Sequence, residues 1–319
     1  MAVYTHITNS ELTDLLAHYT IGKAKNLKGI EQGVENSNYF LTTEQNKYIL
    51  TIYEERINHD DLPFYLHLMQ HLAAADIPCP VPIKTNNNQM LSQVHNSPCA
   101  IVSFLNGKSV QAIKNDHLEE LGTHMARMHL AGENFNEKLP NNYSIDKWFE
   151  LFKQVKDRAD DFKPGLKNEI ATALGKIKQS WPTNLPQGII HGDLFPDNVF
   201  FANRKLVGII DFYFASYDAI IYELAICLNA WCFENNHEFN ITKAKLLLRA
   251  YNKVRPISDV ELEALPTLSA GAAMRFLLTR LYDWLNQKED ALVKPHDPRE
   301  YLHKLRFHTN VKSHHEYGL

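Results

Sequence analysis

Cysteine is scarce. The chain has four in 319 residues, Cys79, Cys99, Cys227 and Cys232, with no C-x-x-C pair. A dense disulfide framework is therefore excluded, and reduced, buried thiols are expected. Glycine and proline, 13 and 14, are too few for a low-complexity or fibrous chain. No apolar run reaches the roughly 18 residues that a membrane helix requires. The most apolar stretch, DAIIYELAICLNAWCF, is broken by Glu223 and Asn229. At the N-terminus no basic segment leads into an apolar one, so no secretory leader is read there. Thr8-x-x-Glu11 reads instead as a capping box. Basic excess is also absent. Lys and Arg total 33 against 37 Asp and Glu, a net charge of −4, which argues against nucleic acid as the main partner. These absences lead to the expectation of a soluble cytoplasmic protein with no membrane partner.

What is present is an ordinary globular composition, 45% hydrophobic and 22% charged, in a chain long enough for about two domains. Tyr39 to Thr42 and Tyr48 to Tyr53 read as a β-hairpin. Asp61 opens a helix with Leu62, Tyr65, Leu66, Met69 and Leu72 on helical spacing, and Pro78, Pro80 and Pro82 exclude its continuation. Further strands are expected around Gln89 to Gln93 and Cys99 to Phe104. Beyond Gly107 the pattern is mostly helical. Asp116-x-x-Glu119 reads as a capping box, Ser144, Thr242 and Ser258 as helix starts, and Gly271 to Trp284 as a helix. The fold class is α+β. A small N-terminal lobe with an antiparallel sheet, residues 1–105, joins a larger, mostly helical lobe, residues 106–319. Ligands favour clefts at such junctions.

One segment interrupts the helical lobe: GIIHGDLFPDNVFFANRKLVGIIDFYFASYD. Ile189-Ile190, Asn198 to Phe201 and Leu206 to Ile210 read as short strands, with Asn203-Arg204 as a tight turn. His191, Asp193, Asn198 and Asp211 fall at strand ends. Phosphoryl transfer needs such a set: oxygen ligands for a divalent ion, and a carboxylate that orients the attacking hydroxyl and takes its proton. Asp193-x-x-x-x-Asn198, with His191 two residues earlier and Asp211-Phe212 on the next strand, matches kinase spacing. Tyr213 stands where kinases have the glycine of D-F-G.

HGDLFPDN with IIDF resembles the aminoglycoside phosphotransferase/choline kinase-like branch of the protein-kinase-like fold. GVENSNYF, LPFYLHLMQHLAAADIPCPVPI, RFLLTRLYDW and KPHDPREYLHKLRF extend the resemblance, over nearly the whole chain, to the homoserine kinases of that family. It implies a two-lobed protein-kinase-like fold, with ATP and Mg²⁺ as cofactors. The implied reaction phosphorylates the side-chain hydroxyl of L-homoserine, a step of threonine biosynthesis. Asp193 is then the catalytic base, with His191 orienting its loop, and Asn198 and Asp211 hold metal. Gly29, Gly33, Asn36, Ser37 and Asn38 belong to the loop over the ATP phosphates, and the adenine lies near Ser103 and Leu105. Two departures stand out. Thr51 occupies the region where kinases carry a lysine, and the helix LPFYLHLM offers no glutamate to pair with one.

Homoserine is a zwitterion, so its site needs a cation for the carboxylate and acceptors for the ammonium. Arg275 and Arg280 share a helix but lie about 140° apart around it, and Arg275 is the favoured carboxylate reader. Arg280 can pair with Asp283 or stack on Trp284. Asp218 and Glu223 are ammonium candidates, and Tyr213 can line the same wall. Asp218 is equally an N-cap, and Glu223 equally a buried structural acid. Other readings are the same fold acting on choline, methylthioribose or an aminoglycoside, a dimetal hydrolase, or a non-catalytic nucleotide-binding module.

Overall fold

The structure, a computed structural model, describes residues 5–30, 36–54, 58–287 and 294–319. Two compact units result. The first runs to Gly107 and takes back Val207–Tyr213; the second holds Lys108–Leu206 and Phe214–Leu319. A boundary at residue 105 misses this returning segment, which is tied down where the Ile209 N–H donates to the Pro78 carbonyl at 2.7 Å.

The first unit contains α1 (Asn9–Leu16), β1 (Ala24–Gly29), β2 (Ser37–Thr43), β3 (Lys47–Ile52), α2 (Leu62–Ala74), β4 (Ser92–Val94) and β5 (Ser97–Ser103). The strands form an antiparallel sheet in the order β1-β2-β3-β5-β4. Strand alternation buries Tyr39 and Leu41 of β2, and with Leu50 and Ile52 of β3 they pack against Leu12, Leu15 and Leu16 of α1. At the start of α1, Thr8 and Glu11 satisfy each other's backbone N–H groups. Strand β1 carries no apolar alternation because AKNLKG is an exposed edge. Strand β4 is shorter than the sequence suggests. Its hairpin turns at His95-Asn96, both at positive φ, and that turn fixes the register.

In the second unit lie α3 (Asn115–Gly132), α4 (Ile145–Val155), α5 (Ala159–Phe162), α6 (Leu166–Gln179), β6 (Gln187–Ile190), β7 (Val199–Ala202), β8 (Lys205–Ile209), β9 (Ser216–Ala219), α7 (Ile220–Trp231), α8 (Ile241–Val254), α9 (Asp259–Leu285) and α10 (Pro298–His308). The chain passes into the first unit within β8. Two helix starts differ from expectation. Helix α3 opens at Asn115, leaving Asp116 to pair with Arg204 at 3.1 Å. Helix α8 is capped by Asn240, whose Oδ1 accepts from the Lys243 N–H at 3.0 Å, rather than opened by Thr242. The apolar run of α7 is a helix buried on every side. Among the described residues no helix is long and apolar enough to cross a membrane. All four cysteines are free and buried.

Candidate active site

His191 to Asn198 leave β6 and lead into β7. The start is fixed, because Ile190 at the end of β6 pairs with Ser216 of β9. Gly192 has φ +76°, and a Cβ there would lie 2.5 Å from the Phe214 carbonyl oxygen, so only glycine fits. Glu223 of α7, fully buried, accepts from the His191 N–H and from the Gly192 N–H, the latter at 3.2 Å. Arg275 of α9 is 2% exposed, and its Nη1 donates to the Gly192 carbonyl at 2.7 Å. A buried anion and a buried cation thus hold the two peptides that meet at Gly192. Further along, the Leu194 carbonyl accepts from Trp231 Nε1 at 2.8 Å.

This frame presents Asp193. Its N–H donates to His191 Nδ1 at 3.3 Å. Asn198 Nδ2 donates to the Asp193 carbonyl at 2.8 Å and to Asp193 Oδ2 at 3.1 Å. With Nδ2 used in this way, Oδ1 is the Asn198 atom suited to meeting a cation. Burial would raise the pKa of Glu223, but hydrogen bonding and charge from His129 and His191 outweigh it and hold the carboxyl below its usual range. His129 Nδ1 in turn meets the Tyr251 hydroxyl at 2.8 Å, and burial pushes this histidine's pKa down.

Asp211 lies in the first unit at φ +67°, a conformation uncommon outside glycine. Two residues on, the Tyr213 hydroxyl is 3.2 Å from that of Tyr53, and the Tyr65 ring of α2 is 5.8 Å from the Tyr213 ring. Thr51 Oγ1 donates to Asn38 Oδ1 at 2.7 Å across the β2–β3 pair. Burial, with Asp211 adding, pushes Tyr213 up to about 12, so the hydroxyl stays neutral. Thr51, read above as standing in the region where kinases carry a lysine, is thus paired with an amide.

A family model described as the phosphotransferase enzyme family, APH, matches residues 26–257. The chain belongs to that family. Its relatives in the family include proteins named homoserine kinase. The one from Rhodospirillum rubrum is 52% identical over 319 residues, covering 100% of this chain and 99% of that protein. The one from Xanthobacter autotrophicus is 51% identical with the same coverage. Among solved structures, the amicoumacin kinase hAmiN in complex with AMP-PNP and Ca²⁺ superposes with a TM-score of 0.70 at 15% identity, over 95% of this chain and 92% of that one. A choline kinase from Cryptosporidium parvum gives 0.64 at 13% identity, over 89% and 88%. The chain has the protein-kinase-like fold, and membership of the family makes it an enzyme that transfers phosphate.

Within this family frame the expected nucleotide residues lie at the start of β2 and the end of β5. Gly29 ends β1 opposite Tyr39, and Gly33 lies outside the described residues. Asn36 Oδ1 accepts from the Glu54 N–H at 3.3 Å, and Ser37 Oγ donates to Glu54 Oε1 at 2.6 Å. Ser103 Oγ accepts from the Val81 N–H at 2.9 Å, and the Leu105 carbonyl accepts from the Gly107 N–H at 3.2 Å.

The substrate assignments change more. Glu223 and Arg275, expected at the substrate, sit buried on core helices with their charged ends on the loop at Gly192. Asp218 belongs to β9 rather than to the opening of α7, and it accepts from Asn141 Nδ2 at 2.7 Å. Arg280 reaches outside its own helix, pairing with Glu300 of α10 at 2.6 Å with its guanidinium 4.4 Å from the Tyr301 ring centre. Sequence reasoning missed Lys304, 3% exposed, which bonds the other oxygen of Glu300 at 2.5 Å. The i, i+4 spacing of Glu300 and Lys304 was the available signal.

Proposed function

We propose that the chain transfers the γ-phosphoryl group of ATP to the side-chain hydroxyl of L-homoserine, giving O-phospho-L-homoserine and ADP. Asp193 orients the hydroxyl and takes its proton as the new O–P bond forms and the bond to ADP breaks. His191 and Asn198 hold Asp193 in place through its N–H and Oδ2. Asn198 and Asp211 are the proposed ligands of Mg²⁺, since an amide oxygen and a carboxylate are hard donors of the kind that ion takes. When bound, Mg²⁺ neutralises charge on the β- and γ-phosphates. With Thr51 in place of a lysine, contact with the phosphates falls to the loop that includes Gly29 and Asn38. The adenine is assigned to the stretch at Ser103 and Leu105.

The observation that carries the chemistry is the Asp193–Asn198 bond on a loop fixed by Glu223 and Arg275. The choice of acceptor is supported by 52% and 51% identity, over the full chain, to proteins named homoserine kinase. This role fits threonine biosynthesis in the cytoplasm. The test is ADP release with Mg²⁺-ATP and a panel of L-homoserine, choline, methylthioribose and kanamycin. L-Homoserine is expected to be preferred, and a preference for choline or kanamycin overturns the substrate.

A further inference from the structure

Three tyrosines from distant parts of the chain meet in the first unit. Tyr53 follows β3, where its N–H donates to the Pro98 carbonyl at 2.9 Å, and its side chain is fully buried. Tyr65 is a buried residue of α2. Tyr213 comes from the returning segment, two residues after Asp211. Its ring meets both of the others edge to face, with centres 5.4 Å from Tyr53 at 83° and 5.8 Å from Tyr65 at 85°. Its hydroxyl is 3.2 Å from that of Tyr53. Edge-to-face pairs of this kind contribute about 0.5–1.5 kcal/mol each beyond the area they bury. The Tyr213 side chain is therefore held from two sides by groups that are themselves fixed. A glycine at this position, as in kinases, would make none of these contacts.

The location of the cluster gives it a use. In protein kinases a strand lysine pairs with a helix glutamate, and both that pair and the D-F-G aspartate must be in place for phosphoryl transfer. Here the strand offers Thr51 and the helix α2 offers no glutamate. Tyr53 lies two residues after Thr51, and Tyr65 lies on α2. The parts of the chain that would carry an ion pair thus carry the two tyrosines that grip Tyr213. Asp211 is within electrostatic reach of both hydroxyls. Burial is the main cause that raises the pKa of Tyr53 and of Tyr213, and the Asp211 charge adds to each. The backbone of Asp211, at φ +67°, carries a strain of about 1–3 kcal/mol, which persists only where the surroundings hold it.

We propose that Tyr213 is a positioning residue: its hydroxyl contact with Tyr53, backed by the Tyr65 ring, holds Asp211 where it meets the metal and does so in place of a lysine–glutamate pair. The inference rests on the role proposed above for Asp211. It needs no contact between Tyr213 and a reactant, because the side chain acts on the strained backbone two residues before it. A clamp of neutral groups is not screened by salt as an exposed ion pair is.

The test compares the wild type with Tyr213→Phe, Tyr53→Phe and the double variant, which remove hydroxyls and keep the rings. Calorimetry reads the affinity for ATP with Mg²⁺ and for ATP in EDTA. Each single variant is expected to weaken binding of Mg²⁺-ATP by about 3–10-fold, the worth of one hydrogen bond, and to leave metal-free ATP binding unchanged. The double variant should lose no more than a single one, because the two hydroxyls serve one contact. A Mg²⁺-ATP affinity unmoved in both single variants overturns the clamp. So do equal losses with and without metal, which a merely structural contact would give, and losses that add in the double variant. Asp211→Ala, titrated in the same way, separates this from the reading beneath it. If Asp211→Ala keeps the effect of Mg²⁺ on ATP binding, the metal role of Asp211 fails and the clamp fails with it. If Asp211→Ala loses that effect and the tyrosine variants keep it, the clamp alone is rejected.

Discussion

Glu223 and Arg275 fix the same glycine through its two backbone polar groups. One accepts from the Gly192 N–H at 3.2 Å, and the other donates to the Gly192 carbonyl at 2.7 Å. Neither is assigned a contact with a reactant, so the role proposed for both is to position Asp193. Glu223→Gln is expected to keep the fold and lower kcat with little change in KM for either substrate. Glu223→Ala leaves the buried His191 and Gly192 N–H groups without their acceptor, and it should lower stability by about 1–3 kcal/mol. Urea denaturation and steady-state kinetics check both. A fall in stability with kcat unchanged would show that the residue only holds the core.

Gly192→Ala is the sharpest steric test. Its φ of +76° strains any side chain, and the added Cβ would meet the Phe214 carbonyl oxygen at 2.5 Å. A cost of about 2 kcal/mol or more is expected from strain and overlap together, with most activity lost. An alanine variant of wild-type stability and rate would mean that the loop takes another path.

The proposed base and metal ligand should separate kinetically. Asp193→Asn is expected to keep ATP binding and lower kcat by about 10²–10⁴-fold. Asp211→Ala is expected instead to weaken nucleotide binding where Mg²⁺ is present and to abolish the effect of chelation. Calorimetry with ATP, with and without EDTA, reads the second. An unchanged metal requirement removes Asp211 from its proposed role.

Acid sensitivity should come partly from His308. Burial, reinforced by the charge of Lys304, pushes it down to about 3, and its Nδ1 lies 2.8 Å from the Tyr317 hydroxyl. The folded histidine therefore stays neutral where the unfolded one, near 6.5, takes a proton. Its contribution is fully present above about pH 6.5 and declines as pH falls towards about 3, by at most about 1.4 kcal/mol per pH unit. Glu300, which Lys304 and Arg280 hold at about 2 against the effect of burial, adds a loss at lower pH, beginning near its ordinary 4.5. Denaturation at pH 7.5, 6 and 5 should show a shallower decline for His308→Gln than for the wild type.

Much of this could be read from neighbouring residues. The β2–β3 hairpin follows from alternation around Tyr39 and Leu50, the end of α2 from three prolines, and the loop at Asp193 from spacing alone. Strand β1 was hidden because its edge position removes the apolar pattern. The partners of the arginines were hidden for a different reason. Arg275 meets Gly192 across 83 residues of sequence, and Arg280 meets Glu300 across 20. A helical wheel separates the two faces but does not say which element covers each. The return of residues 207–213 to the first unit is a tertiary fact of the same kind.

The sealed position of the cysteines has a practical corollary. Burial pushes the Cys79 and Cys99 thiols up to about 12, and Cys227 and Cys232 are fully enclosed. At neutral pH the native molecule should therefore ignore maleimides. A single cysteine introduced on the surface would carry a fluorophore against a dark background, without any native thiol being removed. Unfolding would announce itself by four new sites of labelling.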